Sequence, residues 1–247
     1  MERLDVILVK KNIVSSRERA KELIKNGRVT VNGRVAVKPA ESVAEDSRIT
    51  VTGETLKYVS RGGLKLEKAI EFFDIDIKDA TCADIGASTG GFTDCMLMYG
   101  AKRVYAIDVG TEQLSEKLRT DPRVISIEQT NIRYVTLDSL NCTPFDFISC
   151  DVSFISLTKV LPVIFNLLSE NGRSVCLIKP QFEAGKKFLS KKGVVNDEKV
   201  RKKVLDDVSE FALLLGFKIY GITDSPIKGP NGNIEYLMYI GKVPENE

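Results

Sequence analysis

From Thr81 onward, short apolar runs alternate with segments of helical period. That alternation is the tightest constraint on what the chain can fold into. Parallel strands cannot be joined by a two-residue hairpin; they need a crossover long enough to hold a helix. A chain that reads strand, helix, strand, helix therefore builds a parallel sheet covered by helices, the α/β class. Strands are predicted at 81–86, 103–108, 124–128, 145–151, 173–179, 217–223 and 236–241. Helices are predicted near 91–99, 112–118, 157–169 and 198–215. In such a sheet, ligands bind beyond the carboxyl ends of the strands.

The preceding residues have a different texture. At 247 residues the chain suits one large domain plus a small one. Leu4, Ile7 and Leu8 have helical spacing within Arg3 to Lys10. Ser15 or Ser16 can cap a second helix carrying Ala20, Leu23 and Ile24 and stopped by Gly27. Val29, Val31 and the turn Asn32-Gly33 signal a hairpin, and Ile49 and Val51 another strand. Residues 10–38 hold nine basic and two acidic side chains, whereas the whole chain is nearly neutral at +2. A dense basic stretch ahead of a neutral domain suits a polyanion, although a solvated helix face gives the same pattern.

Arg3-Leu4-Asp5, Ser16-Arg17, Ala20, Leu23-Ile24, Gly27, Val29, Val31-Asn32-Gly33 and Lys38-Pro39 resemble the small α+β RNA-binding domain named after the fourth small-subunit ribosomal protein. The resemblance implies that Lys10, Lys11, Arg17, Arg19, Lys21, Arg28 and Arg34 contact RNA, with Arg61 a further candidate. The domains are expected at 1–55 and 60–247, with 56–59 as linker. A helix from about Gly63 to Phe73 opens the large domain, buries Leu66, Ile70 and Phe73, and leaves Lys65 off that stripe.

Composition narrows the chemistry. There is no histidine, so Ser-His-Asp and Cys-His mechanisms and histidine-ligated metals are excluded. The five cysteines form no C-x-x-C pair and read as buried free thiols, so no metal is expected. Met1 to Lys11 is charged and has no apolar h-region, and no apolar run approaches the ~20 residues of a membrane span. The expectation is a soluble, cytoplasmic protein with no membrane partner.

Asp84-Ile85-Gly86-Ala87-Ser88-Thr89-Gly90-Gly91-Phe92 lies where the first strand turns into a helix. It is neither G-x-G-x-x-G nor a Walker loop, and alone it could be just a tight connection. The next strand ends at Asp108, where a carboxylate can accept from both hydroxyls of a nucleoside ribose or merely cap a helix. Asn131 follows the third strand, near where an adenine would rest. Loop, acid and amide together favour S-adenosyl-L-methionine over a dinucleotide. The stretch resembles the first motif of the Rossmann-like class I methyltransferases, especially the FtsJ-like 2′-O-ribose enzymes.

Lys65, Asp151, Lys179 and Glu235 stand out by position; the last three lie at strand ends. They could form a structural ion-pair cluster. They also resemble the Lys-Asp-Lys-Glu tetrad of FtsJ-like enzymes, which implies catalytic roles for all four and a place for Asp151 at the cofactor as well. Tyr58-Val59-Ser60-Arg61-Gly62-Gly63, Cys150 to Leu157, Ile178 to Glu183 and Gly229 to Glu235 resemble the TlyA family of rRNA 2′-O-methyltransferases, often called haemolysins. That implies a cytidine of ribosomal RNA, free or in a ribosomal subunit, as acceptor.

A ribose hydroxyl must lose its proton as it attacks the methyl group. An ordinary lysine, at about pH 10.4, stays protonated at neutral pH unless burial or another ammonium lowers that value. Lys179 is expected as base, with Lys65 beside it as the neighbouring charge, Asp151 orienting it, and Glu235 holding Lys65 or the ribose. Amine methyltransferases resemble Asn/Asp-Pro-Pro-Tyr/Phe where this chain reads Asp151-Val152-Ser153-Phe154, and Cys150 should face away from Asp151. Lys186 to Lys203 is strongly basic and reads equally as a second RNA contact or a solvated loop. The alternative function is a ribosome-assembly factor that binds RNA and retains a vestigial methyltransferase fold.

Overall fold

The computed structural model describes residues 1–11, 13–14, 17–52 and 57–242. The proposed caps Ser15 and Ser16 lie outside them. The chain divides into two compact units, Met1–Lys57 and Tyr58–Glu247.

In the first unit, helices α1 (Leu4–Lys10) and α2 (Arg17–Lys25) pack Leu4, Ile7, Leu8, Ala20 and Ile24 into a small core. Strand β2 (Val29–Val31) pairs antiparallel with β3 (Arg34–Val35) and β5 (Ile49–Val51). Asn32 and Gly33 both have positive φ, 50° and 83°, as the tight hairpin requires. One pairing was not expected: β1 (Glu2–Arg3) runs antiparallel to β4 (Ser42–Val43), so the first helix begins at Leu4.

The second unit is a seven-stranded sheet between two helical layers. Its strands are β6 (Thr81–Ile85), β7 (Arg103–Ile107), β8 (Val124–Ile127), β9 (Phe145–Cys150), β10 (Leu168–Ile178), β11 (Phe217–Asp224) and β12 (Tyr236–Lys242). Their order is β11-β12-β10-β9-β6-β7-β8. Alternate residues of β10 serve opposite faces: Val175 and Leu177 pack with one cluster, Cys176 and Ile178 with the other. α3 (Gly62–Phe73) and α4 (Gly91–Met98) cover the first face. α7 (Leu161–Leu167) and α9 (Glu198–Leu214) cover the second.

Three expectations are corrected. The sheet is not wholly parallel: β12 is antiparallel to both β10 and β11 and lies between them. Its apolar run has the same pattern in either direction, so sequence alone could not set its orientation. The helix expected at 112–118 is only α5 (Glu116–Arg119). The helix expected at 157–169 is a 3-10 turn (Leu157–Lys159) followed by α7, and Leu168 already belongs to β10. Short helices α6 (Leu137–Leu140) and α8 (Pro180–Glu183) complete the unit.

Candidate active site

The order reverses at β6, which lies between β9 and β7. A cavity of about 1090 Å³ opens beyond the carboxyl ends of these strands. Gly86, Ser88, Asp108 and Asn131 line one side; Asp151, Ser153, Phe154 and Gln181 line the other. Gly86 has φ +81°, and a Cβ there would lie 2.6 Å from the Asp151 carbonyl oxygen. Glycine is therefore what lets the ends of β6 and β9 meet under the cavity. Asp108 is fixed by its neighbours: Oδ2 accepts from the Ser88 amide at 2.8 Å and Oδ1 from the Gly110 amide at 2.7 Å. Asn131 caps the turn Ile132–Tyr134 by accepting from the Arg133 amide at 3.2 Å.

The rest of the glycine loop packs closely against its neighbours. Asp84 is fully buried, accepting from Thr93 Oγ1 at 2.7 Å and Ser149 Oγ at 3.0 Å. Burial pushes its carboxyl up to about 6. A Cβ on Gly90 would run into Leu114 and Leu118, and one on Gly91 into Ser60. Asp84, Thr89, Gly90, Gly91 and Phe92, expected at the cofactor, are not among the residues that line the cavity.

Lys65, Asp151, Lys179 and Glu235 come together from α3, the end of β9, the end of β10 and the loop before β12. Lys179 Nζ lies 2.5 Å from Asp151 Oδ1 and donates to Ser153 Oγ at 2.9 Å. Lys65 Nζ lies 3.5 Å from Asp151 Oδ2 and donates to Glu235 Oε2 at 2.8 Å. Lys65 was expected directly beside Lys179, but Asp151 stands between the two ammonium groups. Lys179 is 7% exposed and Glu235 1%. Charges at such depth must be paired, and two cations with two anions make the cluster neutral. It sits against the cavity wall and reaches the opening through Asp151, Ser153 and Gln181.

Several participants were not anticipated. Gln181 Nε2 donates to Glu235 Oε1 at 3.0 Å, and a Cβ on Gly229 would overlap that same carboxylate. Glu183 accepts from Ser156 Oγ at 2.6 Å and the Leu157 amide at 2.7 Å, so α8 holds the loop after β9. That loop presents Phe154, 90% exposed with φ +63° and its ring 5.2 Å from that of Phe182. A bulky side chain in the left-handed region is strained, and such strain clusters at functional sites. The aromatic after Asp151-Val152-Ser153 was the available signal.

In the first unit most basic candidates are paired. Lys10 meets Glu2 and Glu45, Arg17 meets Asp5, Arg19 meets Glu22, Lys21 meets Glu18, and Arg34 meets Glu41. Lys11 donates to the Glu45 carbonyl. Apart from Arg17–Asp5, whose carboxylate is buried, these pairs are at least partly exposed and worth roughly 0–1 kcal/mol each, so a phosphate can replace the carboxylate. Arg28 has no ion-pair partner among the described residues, and Arg61 is exposed at the start of α3.

A strand order that reverses at a ligand cavity, an acid after the second strand and a buried Lys-Asp-Lys-Glu cluster define a Rossmann-like methyltransferase. Residues 58–242 match the family described as FtsJ-like methyltransferase, and residues 2–49 match the S4 domain. The chain belongs to the FtsJ-like methyltransferase family, with TlyA proteins among its relatives. It is 48% identical to YqxC of Bacillus subtilis, a candidate rRNA methyltransferase, over 97% of this chain and 85% of that one. It is 42% identical to the 16S/23S rRNA (cytidine-2′-O)-methyltransferase TlyA of Mycobacterium tuberculosis, over 96% of this chain and 89% of that one. A solved candidate hemolysin from Streptococcus thermophilus superposes with a TM-score of 0.80 at 46% identity, over 98% of this chain and 88% of that one.

Proposed function

We propose that this protein methylates the ribose 2′-hydroxyl of a cytidine in ribosomal RNA, in the cytoplasm, using S-adenosyl-L-methionine. The observation that carries the reading is the Lys65–Asp151–Lys179–Glu235 cluster at the wall of a cavity of about 1090 Å³, large enough for a cofactor and an acceptor nucleoside together. The named activity of the TlyA relative supports the acceptor.

The residues present suit the cofactor. Gly86 and Ser88 let a ligand approach the backbone, Asp108 can take ribose hydroxyls on its free lone pairs, and Asn131 lines the same cavity and can read an adenine there. When bound, S-adenosylmethionine supplies a methyl group activated by a sulfonium. The protein aligns the acceptor and takes its proton. The Lys179 ammonium first releases a proton to solvent, and its Nζ then accepts the 2′-hydroxyl proton. Asp151, already in contact, neutralises the ammonium as it forms. Ser153 holds the Nζ in place, while Glu235 and Lys65 fix Asp151 from the other side. Phe154 offers a face on which the target base can stack.

The test is single-turnover methyl transfer to ribosomal RNA. Lys179→Ala should slow it by about 10²–10⁴-fold with cofactor and RNA affinity retained. Lys179→Arg should not restore it, because a guanidinium does not give up its proton. Near-normal rates in the arginine variant would remove the base assignment. A parent protein that binds RNA and cofactor yet transfers nothing would instead favour the vestigial assembly factor.

A further inference from the structure

The basic segment after β10 contains a turn that the chemistry above does not use. The Gly193 amide donates to the Ser190 carbonyl at 2.8 Å, which puts Lys191 and Lys192 at the two central positions of a four-residue turn. The Ser190 amide donates to the Val194 carbonyl at 2.9 Å, and Ser190 Oγ accepts from the Val194 amide at 3.1 Å. The loop before β12 grips the turn from outside. Asn231 Nδ2 donates to the Lys192 carbonyl at 2.9 Å, and Asn233 Nδ2 to the Gly193 carbonyl at 3.1 Å. Asn233 Oδ1 accepts from the Val195 amide at 3.2 Å, and Asn233 is itself buried. The turn is thus pinned at Ser190, the Lys192 carbonyl, Gly193 and Val194 while both lysines are exposed.

The turn follows directly on Lys186 and Leu189, which line the cavity. Lys159 and Lys186 line the cavity rim, and Lys187 lies 4.9 Å from the ring of the exposed Phe188. Among the described residues Lys159, Lys186, Lys187, Lys191 and Lys192 have no ion-pair partner, unlike most basic candidates of the first unit. Five cations without counter-ions repel one another, and an anionic partner relieves that repulsion.

We propose that this rim is a second RNA-binding surface, which holds the phosphates flanking the target ribose. The inference rests on the reading that a ribose enters the cavity. A ribose cannot enter without bringing its own 5′ and 3′ phosphates to the rim. The lysine turn is already ordered, so engaging a phosphate requires little further loss of backbone freedom. The contact is to phosphate and carries no base identity; it sets the register of the strand over Lys179.

The experiment uses the full chain and a fluorescently labelled ribosomal RNA stem-loop, with binding measured by anisotropy across a range of KCl concentrations. In Lys191→Ala/Lys192→Ala, the slope of log affinity against log salt should shrink by about 1.4–1.8, as expected for two lost phosphate contacts. Calorimetric affinity for S-adenosylmethionine should not change. Lys191→Arg/Lys192→Arg keeps both charges and should keep the parent slope. An unchanged slope in the alanine variant, a lost slope in the arginine variant, or no RNA binding by the parent would each overturn the proposal. Phosphatidylglycerol vesicles form the control arm. Vesicle binding as tight as RNA binding, and lost in the alanine variant, would reassign the rim to lipid and overturn it as well. Absence of methyl transfer by the parent would sink the enzymatic reading alone, since the slope is read from binding.

Discussion

Asp84 is a carboxylate without a cation: its only side-chain partners among the described residues are the hydroxyls of Thr93 and Ser149. Desolvation raises its pKa to about 6, two units above an ordinary aspartate. The protonated form is thus favoured by the fold. Its stabilising effect is fully present below about pH 4 and is lost as pH rises through 6. Asp84→Asn should remove that dependence, so parent and variant should diverge by roughly 3 kcal/mol between pH 4 and 7 in denaturant titrations. A variant whose stability tracks the parent at every pH would show that Asp84 does not titrate in this range. Phe154 allows a separate measurement. Phe154→Ala removes a stacking face worth about 1–3 kcal/mol, so KM for RNA should rise about tenfold while cofactor affinity holds. An unchanged KM would leave the strained φ of Phe154 without a role in binding the acceptor.

At the scale of elements, the loop before β12 serves two purposes. It delivers Glu235 to Lys65 and grips the lysine turn through Asn233. Asn233→Ala would leave the Val195 amide and the Gly193 carbonyl without their partner, at about 1–3 kcal/mol per buried group. Lower thermal stability is expected, with faster proteolysis near residue 192. Gly229→Ala should leave the sheet intact but push the Glu235 carboxylate aside, lowering the transfer rate more than the RNA affinity. The α/β alternation and the four charged residues were legible in the sequence because strand ends and apolar runs are local signals. The orientation of β12, the break before α7 and the roles of Ser153, Gln181 and Gly229 were not. Each depends on a neighbour tens of residues away, as in the approach of Gln181 to Glu235. The packing of Gly90 and Gly91 against Leu114, Leu118 and Ser60 was likewise not legible, because those partners are distant in sequence.

At the scale of the whole molecule, the two units have separate cores, one built on Leu4, Ile7 and Ile24, the other on the two faces of the sheet. Removing residues 1–57 should leave cofactor affinity unchanged in calorimetry and weaken RNA binding, with a smaller salt slope. If the shortened chain bound RNA as the parent does, the S4 domain would not be an anchor. The separate cores also predict two heat-absorption peaks on melting the full chain.

The insertion of β12 between β10 and β11 bears on how the molecule is made. β12 is the seventh of the sheet strands to leave the ribosome, yet it is the strand that joins β11 to β10. The contact of Glu235 with Lys65 spans 170 positions of sequence. A nascent chain therefore displays its RNA-binding unit well before it owns a working active centre. Methyl transfer switches on only once β12 has emerged, as a zip closed by its last tooth.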